Sequence, residues 1–76
     1  MDEAQIEALH EAKLAFDRAV AIFEGGSRDS ADDCRTRAAM TLITLGIGEL
    51  GAIWPERSVR TAVARLVDRV YATAKA

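Results

Sequence analysis

Between Ala38 and Trp54 the chain reads AAMTLITLGIGELGAIW, and Glu49 is its only charged residue. This stretch restricts the possible folds more than any other. A membrane span needs about 20 apolar residues. The run is shorter than that, carries Glu49 and three glycines, and stops at Pro55, so it predicts a helix inside a protein and no membrane anchor. Wound at about 100° per residue, it has two uncharged faces. One collects Ala39, Met40, Ile43, Ile47, Leu50 and Trp54, and the opposite one Cys34, Ala38, Thr41, Leu45, Gly48 and Ala52. A helix apolar on both sides is expected to be buried on both sides.

The same run contains LGIGELG, residues 45–51, with Gly46, Gly48 and Gly51 at the spacing G-x-G-x-x-G. In a dinucleotide-binding turn, those glycines let the backbone approach a pyrophosphate at a helix N-terminus. The motif has that meaning only between a strand and a helix, within a βαβ unit. Everything after Pro55 reads as helix, so no second strand is available and the match is a coincidence of spacing. Each glycine inside a helix costs about 1 kcal/mol relative to alanine. Three in one turn and a half point to close helix approach or to local looseness.

The flanking segments are simpler. In residues 2–24, Leu9, Ala12, Phe16, Ala19, Val20 and Phe23 form one apolar stripe. Early acidic residues suit the positive end of the helix dipole. GGS at 25–27 supplies a stop, with Gly25 suited to a left-handed C-terminal position. In SRDSADDC, Ser30 and Asp33 approximate a capping box for a helix over 31–52. Pro55 suits the first position of a third helix, where its missing N–H costs nothing. Val59, Ala62, Val63, Leu66, Val67, Val70 and Ala74 then line one face. The pattern predicts an all-α three-helix bundle over about 2–24, 31–52 and 56–74, in a single domain spanning 1–76. A chain of 76 residues buries limited surface, so monomer and homodimer are both open.

Charge is segregated along the chain. Residues 1–24 carry a net −4 and residues 55–76 a net +3, within an overall −2. Cys34 is the only cysteine, which excludes an internal disulfide and a cysteine-rich zinc site. The acidic start MDEAQIE has no apolar run of the secretory kind. A reduced, cytoplasmic protein is expected.

No arrangement of nucleophile, base and acid is visible, and no enzyme activity, cofactor or metal is expected. His10, the single histidine, lies on the polar side of the first helix, and HEAKL lacks the second histidine of a zinc-binding helix. Cys34 reads as a small buried hydrophobe, although a place near a helix N-terminus can activate a thiol. Arg57, Arg60, Arg65, Arg69 and Lys75 could meet phosphates, but Asp68 interrupts them and no aromatic interleaves, so nucleic-acid binding is the alternative reading. One residue breaks the pattern of the first helix. Leu14 falls on its polar arc among Glu7, Glu11, Asp17 and Arg18, where it fits an apolar anchor for a protein partner with a basic groove.

One family resemblance follows from these segments. A first helix, a polar loop, and then Met40, TLITL and LGAI before Pro55 resemble the antiactivators that restrain conjugative transfer in rhizobia and agrobacteria. The resemblance covers about residues 4–55 and ends at Pro55, after which this chain adds a full amphipathic helix. It implies a small cytoplasmic all-α protein that binds a quorum-sensing or transfer-gene transcription activator and blocks it. It carries over no functional residue. The expected function is therefore a non-enzymatic inhibitor of a transcription activator, binding through Glu7, Glu11, Leu14, Asp17 and Arg18.

Overall fold

The computed structural model describes every residue except Ser27, Asp29 and Ala76, with the backbone alone for Lys75. It is all-α, as the periodicity predicts. The helices are α1 (Glu3–Gly26), α2 (Ala31–Gly51) and α3 (Glu56–Lys75), and there is no strand among the described residues.

Local chemistry sets the helix starts. Asp2 and Gln5 cap α1 reciprocally: the Gln5 N–H donates to Asp2 Oδ1 at 2.8 Å and the Asp2 N–H to Gln5 Oε1 at 3.1 Å. Two backbone donors at the helix start, which have no partner within the helix, are satisfied together. At α2, Ser30 Oγ accepts from the Asp33 N–H at 3.1 Å, and Asp32 and Asp33 occupy the positive first turn. Pro55 lies one residue before α3 rather than at its first position. Its carbonyl accepts from the Ser58 and Val59 N–H groups at 3.0 and 3.2 Å, opening the helical ladder without needing a donor of its own.

The end of α1 corrects the expected stop. The helix continues through Gly25 and Gly26, and neither takes a positive φ. Glycine permits the left-handed conformation but does not compel it. Ser27 of the GGS stop and Asp29 of SRDSADDC lie outside the described residues. The end of α2 is a tightened turn in which the N–H groups of Ile53 and Trp54 both donate to the Leu50 carbonyl, at 3.0 and 2.9 Å.

The chain forms two compact units, Met1–Ile43 and Thr44–Ala76, with their boundary inside α2. In the first, Val20, Cys34 and Ala38 are buried, with Phe16, Ala19 and Phe23 packed against them. Cations lie over the rings: Lys13 and Arg35 each 5.1 Å from the Phe16 centroid, and Arg37 4.3 Å from that of Phe23. Each such contact contributes about 0.5–1 kcal/mol at exposed sites. In the second unit Val59 is buried, with Leu50, Ala62 and Val63 half-buried.

Two packing expectations are corrected here. The α1 stripe is covered only in its C-terminal half, because Leu9 and Ala12 are exposed. Nor is α2 buried on both faces: Met40, Ile43, Leu45 and Ile47 are all exposed. A helix commonly turns an apolar stripe of about 100° or more toward its core, and the uncharged remainder of α2 stays open. The glycines of α2 also mediate no close approach. A Cβ built on Gly46, Gly48 or Gly51 meets nothing within 4 Å.

Candidate interaction surfaces

The polar arc of α1 is set by the helix that carries it. Helical geometry places Leu14 opposite Phe16, Val20 and Phe23, so once these face the first core Leu14 must face solvent. It is 48% exposed. Glu7, Glu11, Asp17 and Arg18 share this arc and are exposed too. Asp17 is partly committed, since its Oδ1 accepts from Lys13 Nζ at 3.2 Å. Glu7 and Glu11 form no ion pair among the described residues. The surface is thus an apolar side chain with two uncommitted carboxylates, Glu11 about one turn and Glu7 about two turns to its N-terminal side.

Other candidates from the sequence have more limited roles. LGIGELG forms the C-terminal end of α2, with helix before it, a turn after it and no strand, so it lacks the strand–turn–helix setting of a phosphate turn. His10 is exposed on α1, and no group of three metal-ligating side chains gathers among the described residues. Cys34 is fully buried between α1 and α2 and forms no disulfide. That burial places it in the core, where a thiol is shielded from reagents. No helix among the described residues is long and apolar enough to cross a membrane.

On α3, Arg57, Arg60, Arg65 and Arg69 are all exposed. Arg60 Nη2 lies 3.4 Å from Glu56 Oε1, one turn back, which offsets part of the positive face. Arg65 and Arg69 do something the sequence did not announce. With Leu50, Trp54, Ala62 and Leu66 they line an open groove of about 330 Å³. Its lining is apolar apart from the two arginine side chains. Reading α2 and α3 as separate amphipathic helices put Trp54 on one stripe and the arginines on another. Only the turn at Ala52–Pro55, which folds α3 back, brings them together. The available signal was the composition: tryptophan and arginine are the residues most enriched where binding energy concentrates.

No protein-family model matches this chain, and no curated protein or solved structure is similar to it.

Proposed function

We propose that this protein is a non-enzymatic, protein-binding regulator that inhibits a transcription activator by occupying it through the polar arc of α1. The observation that carries the reading is Leu14: an exposed leucine opposite the core, beside the exposed carboxylates of Glu7 and Glu11. An isolated exposed leucine is ordinary. One centred on an acidic helical arc matches the helix-in-groove mode, in which an apolar anchor enters a pocket and charged neighbours select a basic rim. The resemblance of residues 4–55 to conjugative-transfer antiactivators supplies the class of partner, and a cytoplasmic location goes with it.

The test is recovery of a stoichiometric protein partner from native cytoplasm by the wild-type chain and by Leu14→Ala. Surface substitutions usually change stability within about 0.5 kcal/mol, so Leu14→Ala should fold normally. It should lose about 1–2 kcal/mol of binding or more, as for a central apolar contact. Glu7→Lys and Glu11→Lys should act mainly on the association rate and its salt dependence. Unchanged affinity in Leu14→Ala would sink the assignment.

A second reading rests on the exposed guanidinium groups of α3, which suit a small nucleic-acid-binding protein. It requires duplex binding that weakens steeply with salt, by a log–log slope of about −0.9 per phosphate neutralised. Affinity for duplex DNA that is flat between low and moderate salt would eliminate it.

A further inference from the structure

We infer that the groove between the end of α2 and α3 docks an acidic, amphipathic segment of a partner protein, one whose bulky apolar anchor is flanked by carboxylates. Leu50, Trp54, Ala62 and Leu66 supply the apolar lining, and Arg65 and Arg69 complete it. Trp54 and Leu66 keep 45% and 50% of their surface exposed, so the chain itself does not fill the space beside them.

Size decides between a free ligand and a protein segment. The groove measures about 330 Å³ and is open on one side. Pockets for small molecules run from about 300 to 1,000 Å³ and enclose most of what they hold. An open groove at the bottom of that range encloses no free ligand. It receives one or two apolar side chains of a partner whose own body closes the open side, as in helix-in-groove recognition.

Charge complementarity selects the occupant. Arg65 and Arg69 are four residues apart, so they leave one face of α3 about 6 Å apart along its axis. Both are exposed, and neither forms an ion pair among the described residues, whereas Arg60 is paired with Glu56. Asp68 lies about 160° around the helix from Leu66 and outside the groove lining, so it leaves the groove cationic. A guanidinium meets a carboxylate through two parallel N–H donors. Two such groups one turn apart match carboxylates one turn apart on an acidic helix, with the apolar anchor between them. Nucleic acid fits less well. A phosphate backbone gives the aliphatic lining no counterpart, and stacked bases need aromatic platforms, of which the groove has only Trp54.

The experiment uses Trp54, the only tryptophan of the chain, as its reporter. The full chain is titrated with a synthetic amphipathic peptide free of tryptophan and tyrosine, with leucine and phenylalanine on one stripe and glutamates one turn apart beside it. The expected result is a saturable blue shift of Trp54 emission at micromolar peptide. Arg65→Glu and Arg69→Glu should each weaken binding about tenfold or more, and so should glutamine in place of the peptide's glutamates. Arg57→Glu makes the same change of charge outside the lining, about 12 Å along α3 from Arg65. It should alter affinity less than about threefold, because the Debye length is about 8 Å at physiological salt. If the arginine variants fail to fold, the glutamate and glutamine peptides decide the matter with the wild-type chain. No shift at millimolar peptide overturns the inference, as does an equal response to both peptides or an equal loss with Arg57→Glu. A blue shift that grows with the chain's own concentration would give the groove to a second copy, and a shift at lower concentrations of duplex DNA than of peptide would give it to nucleic acid. Either result overturns it too. Leu14→Ala, on α1, should leave the titration unchanged, so failure of this inference and failure of the proposed function are read in different variants.

Discussion

The first compact unit closes around Val20, Cys34 and Ala38, while the second holds Val59 as its one buried hydrophobe among the described residues. Both draw on α2, the first on its N-terminal half and the second on its C-terminal end. The first unit uses Cys34 and Ala38, from the small face. Their short side chains let α1 come close, so that Phe16 and Phe23 wrap the contact and cations cover the outer ring faces. The second unit uses Leu50, near the end of α2, and Trp54, in the turn after it, and retains a groove of about 330 Å³ beside α3. The contrast teaches that side-chain size, more than hydrophobicity, decides where a small chain closes a core. Small residues bring helices together and large ones on the other helix fill the space, whereas large against large leaves a gap.

The most severe way to break this contrast is Val20→Asp. It places an unpaired carboxylate at a site 7% exposed and should destabilise the protein by about 3 kcal/mol or more, measured by urea unfolding. Amide exchange should show the loss of protection first in α1 and the start of α2. If the substitution is tolerated, the first core is not where the stability resides.

Cys34→Ser comes next. The fully buried thiol would become a smaller and more strongly hydrated hydroxyl in an apolar core, at a cost of about 1–3 kcal/mol. In the native wild type, Cys34 should resist an aromatic disulfide reagent and become reactive only as denaturant opens the unit. Rapid labelling in native buffer would contradict a closed first core.

Gly48→Ala acts in the other direction. A Cβ there meets nothing within 4 Å, and alanine is favoured over glycine in a helix interior by about 1 kcal/mol, so Tm should rise. A fall in Tm would instead mean that another helix packs tightly on the small face of α2 in solution. The smallest effect is expected from Lys13→Met. Its ion pair with Asp17 is more than half exposed, and such i,i+4 pairs contribute about 0.3–0.5 kcal/mol. A larger loss would make the contact of Lys13 with Phe16 the stronger part of its role.

Helix existence and type were legible because each depends on neighbours a few residues apart, whereas the end of α1 was not legible. The three-to-four spacing of Phe16, Ala19, Val20 and Phe23, the Ser30 cap and the break at Pro55 all act within one or two turns. Leu14 was legible for the same reason, since the side opposite a known stripe is fixed by helical geometry. The Arg65–Arg69–Trp54 groove was not, because its members come from two helices and meet only when the chain turns back.

The sequence by itself determined an all-α chain of three helices, the second of them with two uncharged stripes. It could not say which face of α2 would be used at which level, because hydrophobicity alone gives Cys34 and Ala38 no advantage over Met40 and Ile43. Tertiary structure made that choice through shape. Phe16 and Phe23 fit over a shallow surface of cysteine and alanine, and close packing rewards that fit at short range. The bulky stripe of Met40, Ile43 and Ile47 is left open as a consequence.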